Sequence, residues 1–277
     1  MSALRRLGSI LPLGLLAGCS TVPDARLAGH WRLDDAPGSA VLADASGSGC
    51  DAAPGAGVRL GAGGLRNAAC FLGGTGAVAH FIAPALTNLS IAAWVNVSGL
   101  GSGDKPYPRI LETPGCYFHV AKREPGGLGL TFGAGGKGWA DGGDGFATGA
   151  WTHVAVAFDG RSVPVFYVNG RRQPAGGGEP PAAPVGLKGG AAPLGNTASG
   201  TRPFEGLLSD VRLYDGLLTP GLAAALARRT PDGVAPAERR PVFYDELPLA
   251  DISGWKRRQT DRKSTRLNSR SLAYLVC

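Results

Sequence analysis

Apolar residues recur at every second position in short runs separated by Gly-rich turns, the signature of half-buried β-strands. The clearest run is Trp151–Gly170. Thr152, Val154, Val156 and Phe158 share one face, and Trp151, His153, Ala155 and Ala157 share the other. Asp159-Gly160 supplies a tight turn, and Val163–Val168 returns as a strand rich in β-branched and aromatic residues. Asn169-Gly170 turns the chain again, because Asn and Gly tolerate positive φ. The returning run is apolar on both faces, which predicts a position toward the middle of a sheet.

The same alternation predicts further strands. Ile91, Ala93, Val95 and Val97 oppose Ala92, Trp94 and Asn96; Cys116, Phe118 and Val120 oppose Tyr117, His119 and Ala121. Leu128, Leu130 and Phe132 alternate with Gly129, Thr131 and Gly133, and Leu207, Ser209, Val211 and Leu213 with Leu208, Asp210, Arg212 and Tyr214. Many short strands with Gly-rich turns predict an all-β fold, an antiparallel two-sheet β-sandwich of the jelly-roll kind. One helix is signalled, by an N-cap at Thr219, Pro220 in the first turn, an apolar run Leu222–Arg229 and Pro231 beyond. It is short and is expected to cover one edge of the sandwich.

The two ends read differently. Arg5 and Arg6 followed by the apolar run Leu7–Ala17 form an export signal, too short to span a bilayer. Leu16-Ala-Gly-Cys19 resembles the lipobox of bacterial lipoproteins, which implies lipid on Cys19 and an N-terminal membrane anchor. Ser20, rather than Asp, implies the outer membrane of a Gram-negative envelope by analogy with lipoprotein sorting. An ordinary signal peptide with a chance Cys is the other reading. After the sandwich, expected over 20–230, Pro231–Pro241 reads as a linker, and Val242–Leu249 with Trp255 regains hydrophobicity. Residues 231–260 are thus a linker or the start of a truncated second domain. Asp261–Ser269 resembles one translated frame of a short-read sequencing adapter, so 261–277 is expected to be an artefact and not a basic tail.

Composition then changes meaning. Of the formal charge of +7, residues 261–277 supply +3 (four Lys/Arg, one Asp) and Arg5 and Arg6 supply +2, which leaves +2 for the body. A near-neutral body carries no argument for nucleic acid as a partner. The 45 Gly and 21 Pro fall between strand runs and read as turns. Setting aside Cys19 and Cys277, three of the five cysteines remain in a compartment expected to be oxidising. Cys50–Cys70 is the preferred disulfide, with Cys70–Cys116 as the rival. No CxxC or His/Cys cluster points to zinc.

The block W-T-H-V-A-V, D-G, Y-V-N-G, together with Gly29–Asp35, Asp44–Gly49, Leu89–Val95, Arg109–Leu111 and Pro203–Tyr214, resembles the laminin G-like domains of the concanavalin A-like lectin/glucanase superfamily over Leu27 to Arg229. The resemblance implies the sandwich. Glucanases of that class carry a Glu-x-Asp-x-x-Glu pattern for acid and nucleophile roles. The pattern is absent here, with Glu112, Glu124, Glu179 and Glu205 scattered. No nucleophile elbow accompanies His153, which reads as a structural imidazole bonded to a neighbouring strand. The resemblance also implies one structural calcium ion, held by Asp44 in the loop Asp44–Gly49 and by Asp210, although Ser209 stands where relatives commonly carry a first acid. The other reading is an Asx-turn at Asp44 and a solvent-facing Asp210.

For carbohydrate, an exposed aromatic is the usual platform. Trp139 in the Gly-rich segment Gly-Lys-Gly-Trp-Ala-Asp-Gly-Gly-Asp144 is the first candidate, with Asp141 and Asp144 as acceptors for sugar hydroxyls and Tyr107 second. A Trp in such a loop otherwise serves as a lid over the core. Trp31, Trp94 and Trp151 read as framework. The expected function is a non-catalytic, surface-anchored binding module for carbohydrate or protein ligands. The alternative is an accessory domain of a longer, truncated secreted hydrolase acting on polysaccharide.

Overall fold

A computed structural model describes residues 25–61, 67–100, 107–124 and 126–231. Cys19 and the expected signal, linker and adapter-like segments lie outside these residues. Along the chain run β1 (Arg26–Trp31), β2 (Ala53–Pro54), β3 (Val58–Leu60), β4 (Ala69–Leu72), β5 (Ala79–Ala83), β6 (Leu89–Gly99), β7 (Arg109–Thr113) and β8 (Cys116–Lys122). They are followed by β9 (Leu128–Ala134), β10 (Lys137–Ala140), β11 (Thr152–Phe158), β12 (Val165–Val168), β13 (Arg171–Arg172), β14 (Gly190–Leu194), β15 (Glu205–Asp215) and α1 (Pro220–Ala227).

The strands form two antiparallel sheets packed face to face, as the alternation predicts. One runs β13-β12-β11-β6-β15-β4-β3, with β1 also paired to β15; the other runs β10-β9-β8-β7-β14-β5-β2. The residues read as apolar from period two fill the space between them. Trp31 of the first sheet meets Phe81 of the second at 4.5 Å between ring centroids, and Phe158 meets Phe132 at 5.1 Å. Val154, Val156 and Phe158 of β11 face this core, as do Phe118, Val120, Leu130 and Phe132 of the opposite sheet.

The hairpin Trp151–Gly170 is present, with Ala157 opposite Val165. Its turn is tied down by Asp159, which accepts from the backbone N–H groups of Arg161 and Ser162 and from the Ser162 hydroxyl. Asn169 and Gly170 both take positive φ and close a two-residue hairpin between β12 and β13. The return strand β12 stands second from the edge, beside the two-residue β13, and not at the middle of the sheet. Its second apolar face is explained by α1. The Thr219 hydroxyl accepts from Leu222 N–H at 3.2 Å to cap α1, and Ala223 and Leu226 pack with Tyr167, Ala155, Ala157 and Tyr214 on the outside of the first sheet.

Register shifts interrupt the simple alternation, and two of them, in β15 and β7, decide which side chains reach the core and which the outer faces. In β15 the register shifts between Ser209 and Arg212, with Asp210 at φ 49°. Leu208, Val211 and Leu213 therefore all reach the core, where strict period two would have sent Leu208 outward. In β7 the shift falls between Arg109 and Leu111. Ile110 and Leu111 both turn inward, and Arg109 and Glu112, three residues apart, share the outer face.

Candidate functional site

The bulge in β7 assembles a polar and aromatic cluster on the outer face of the β10–β2 sheet. Because Cys116, Phe118 and Val120 point to the core, Tyr117 and His119 point out, directly across β7 from Glu112 and Arg109. The Tyr117 and His119 rings stack 5.5 Å apart and 16° from parallel, and Tyr107 approaches His119 from the other side at 5.2 Å. The Arg109 guanidinium lies 4.1 Å over the Tyr117 ring and pairs with Glu112 through Nε–Oε2 at 3.0 Å. Arg202, in the turn before β15, places its guanidinium 5.2 Å from the Tyr107 ring.

Glycine opposite Tyr117 is what permits the arrangement. Tyr117 is paired with Gly133 in β9, and a Cβ there would stand 2.0 Å from the tyrosine ring. The far end of the ring therefore occupies the space over Gly133 that any side chain there would need.

Protonation at the cluster is set by burial and charge. His119 is buried, and Arg109 and Arg202 add repulsion, so its imidazolium form is disfavoured and the pKa is pushed down to about 3. The neutral ring accepts from Arg109 at Nδ1 and so carries its proton on Nε2. Neither tyrosine hydroxyl has a hydrogen-bond partner among the described residues. The face thus offers aromatic surface, two hydroxyls, an imidazole N–H and the Arg202 guanidinium.

Of the residues singled out for ligand contact, only Tyr107 belongs to this cluster; it is 39% exposed. Asp144 is exposed but stands apart from it in the turn after β10. Trp139 is not a platform. It sits in β10 opposite Phe132, is 3% exposed, packs on Phe158 at 5.6 Å and donates Nε1–H to the Glu179 carbonyl at 3.0 Å. Asp141 is likewise consumed by structure. It is paired with Arg123 and accepts from the backbone N–H groups of Leu130 and Gly143. Tyr117, His119, Arg109 and Arg202 were not singled out, though the outward phase of Tyr117 and His119 was already visible in the alternation.

The expected calcium ligands do lie close together, joined through His30, but they do not fit a calcium ion. Asp44 accepts at Oδ1 from the N–H of His30 at 2.8 Å and of Ser46 at 2.9 Å, and at Oδ2 from the Ser46 hydroxyl at 2.8 Å and the Cys50 N–H at 2.9 Å. Burial raises its pKa, but these donors outweigh it and hold the carboxyl below its ordinary value. Asp210 Oδ1 meets His30 Nε2 at 2.6 Å and Arg212 Nη2 at 2.9 Å. Calcium needs six to eight oxygen ligands. Here four donors saturate one carboxylate, and a guanidinium covers the other. Among the described residues no group of three or more His, Cys, Asp or Glu side chains is placed to hold a metal.

The Cys50–Cys70 disulfide is also not formed, and neither is its rival. Phe71 and Ala69 face the core beside Cys50 and Cys116, so alternation sends Cys70 to the opposite side of its sheet, where it packs with Trp94, Trp151 and Leu207. Trp94 and Trp151 are thus buried outside the main core, whereas Trp31 is within it. His153 lies edge-on to Trp94 at 5.5 Å, and its backbone N–H, not its ring, bonds Asn169 Oδ1.

Comparison with known proteins agrees with this architecture. The structure resembles domain 4 of AbnA, a GH43 extracellular arabinanase from Geobacillus stearothermophilus solved with arabinotriose, at TM-score 0.50 and 20% identity, covering 73% of this chain and 98% of that one. It resembles Trypanosoma rangeli sialidase at TM-score 0.53 and 17% identity, covering 74% of this chain and 33% of the sialidase. The ligand-binding domain of Botulinum neurotoxin serotype D, solved with N-acetylneuraminic acid, matches at TM-score 0.50 and 12% identity, covering 73% and 50% of the two chains. At these identities the likeness is one of fold. No curated protein sequence matches. A laminin G-like family model does match, over residues 72–221, more than half of the chain, and the chain belongs to the concanavalin A-like lectin/glucanases superfamily.

Proposed function

We propose that this protein is a non-catalytic carbohydrate-binding module of the bacterial cell envelope, which contacts glycan through the Tyr107–Tyr117–His119 face. One observation carries the reading: two tyrosines, their hydroxyls unbonded among the described residues, flank a neutral histidine on the outer face of a sheet. Sugar rings stack on aromatic surface, and sugar hydroxyls need polar partners not already spent inside the protein. The Leu16-Ala-Gly-Cys19 pattern supports a lipid anchor, which would hold the module at the membrane surface.

The test is a glycan array probed with the full chain, followed by titration of the strongest ligand. Tyr107→Ala and Tyr117→Ala are each expected to weaken binding while leaving the melting temperature within a few degrees of the parent. Absence of binding to every glycan on the array, or release of reducing ends from polysaccharide, would overturn the reading. Cys19→Ala is expected to move the protein from the detergent-rich to the aqueous phase.

A second reading, an accessory domain of a longer polysaccharide hydrolase, is favoured by two observations. Val242–Leu249 and Trp255 restore hydrophobic sequence after the linker. The arabinanase domain, part of a larger enzyme and solved with arabinotriose, is matched over 98% of its length. An open reading frame of several hundred codons past Thr260 in the parent gene would select this reading, and an early stop the first.

A further inference from the structure

The two guanidiniums beside the tyrosines are not equivalent. Arg109 is 5% exposed and spent within the fold, on Glu112 and on His119 Nδ1. Arg202 has no carboxylate partner among the described residues; its guanidinium meets only the Tyr107 ring. Among the described residues of the cluster, two cations against one carboxylate leave one excess positive charge, located at Arg202. Glu112, on the far side of Arg109, repels an anion from that end and leaves Arg202 as the point of attraction.

The base of the Arg202 side chain is fixed before any ligand arrives. Its N–H donates to Oδ1 of the buried Asn196 at 2.9 Å, and its carbonyl accepts from Arg109 N–H at 3.2 Å. Beside it, His119 is neutral with a proton on Nε2, and the tyrosines add two O–H groups. The accessible polar groups on the Arg202 side of the cluster are therefore mostly donors, and the carboxylate of the face, Glu112, lies at the other end and is paired with Arg109. A guanidinium also presents its N–H groups as a planar fork matched to two coplanar anionic oxygens.

From these groups we infer that the platform recognises an acidic saccharide, with the anionic substituent of the sugar on Arg202 and its ring against Tyr107 and Tyr117. The inference rests on the carbohydrate-binding reading above and narrows it. The shared chemistry is an anionic oxygen pair on a sugar ring, supplied either by the carboxylate of a uronic acid or by a sulfate half-ester.

The test uses the full chain and four probes in calorimetric titration: a trigalacturonate, its methyl ester, a sulfated galactose trisaccharide and the unsulfated galactose trisaccharide. At least one acidic probe is expected to bind about tenfold or more tightly than its neutral counterpart, the effect of one charge-assisted bidentate contact. Arg202→Gln is expected to abolish that preference, and Arg202→Lys to restore only part of it. Both should leave the melting temperature within a few degrees of the parent, since among the described residues the side chain makes no ion pair and touches only the half-exposed Tyr107 ring. The carboxylated and sulfated arms identify the substituent. Equal affinity for acidic and neutral probes, or a preference that survives Arg202→Gln, overturns the inference while leaving carbohydrate binding intact. If no saccharide binds at all, both readings fail together.

Discussion

The Tyr117 ring reaches over Gly133, the residue it faces in the neighbouring strand, so closely that a Cβ on the glycine would come within 2.0 Å of it. The close approach links a backbone choice in β9 to the surface a ligand would meet. Gly133→Ala is therefore expected to separate stability from binding. The clash is with the far end of a ring that can swing toward solvent, so the loss of stability should be about 1 kcal/mol. Losing the aligned aromatic surface should cost about 0.5–1.5 kcal/mol of affinity, roughly two- to tenfold. Melting curves beside titrations with the best array ligand check both numbers, and an unchanged affinity would place the glycan elsewhere on the molecule.

Trp139 offers the opposite case. Its indole packs between Phe132 and Phe158, so Trp139→Ala opens a cavity between the sheets and should destabilise by about 3–5 kcal/mol. Asp144→Ala removes an exposed carboxylate a few residues away and should change the denaturation midpoint by no more than about 0.5 kcal/mol equivalent. Near-equal midpoints for the two variants would show that the indole is not part of the core.

Asp44 is expected to stabilise the fold without calcium. Its four donors include three backbone N–H groups that would otherwise lose their partners, so Asp44→Ala should cost on the order of 2–4 kcal/mol. That cost should be the same in millimolar calcium and in excess chelator. A melting temperature that rises with calcium in the parent and not in Asp44→Ala would restore the ion to this site.

Much of the fold could be read in the sequence because its signals are local. Period two marked the faces of β8, β9 and β11, Asn169-Gly170 marked a turn that needs positive φ, and Thr219-Pro220 marked the start of α1. What escaped was non-local. A bulge is visible only against a partner strand, so the pairing of Arg109 with Glu112 on one face was hidden, and Asp210 was placed in simple alternation. The glycines around Trp139 read as a loop because Gly is rare in strands. Here Gly138 pairs with Gly133 in a continuous ladder, and Trp139 takes the inward phase. The Cys50–Cys70 pairing failed because nearness in sequence does not say which side of a sheet a thiol faces.

The last expectation concerns pH. Burial first, then Arg109 and Arg202, push the His119 pKa down to about 3; burial, aided by Arg212 and opposed by Asp210, pushes that of His153 down to about 4. In the unfolded chain both titrate at about 6.5. Between these values the unfolded state binds protons that the native state refuses, so stability rises with pH. The two contributions are complete above about pH 6.5 and are lost as pH falls toward the folded values. Asp44 and Asp210 are depressed below the ordinary carboxylate value, so their contributions fall away only in more acid solution. The window from pH 7 to pH 5 therefore isolates the histidines, each of which should remove about 2 kcal/mol across it. Both are almost fully buried, at 5% and 2% exposure, so solvent screening does little to reduce that figure. Urea midpoints at the two pH values, at constant slope, measure the sum, and His119→Gln should remove about half of the difference. A pH-independent midpoint in the parent would mean that both rings accept protons inside the fold, and Arg109 could then not be donating to His119.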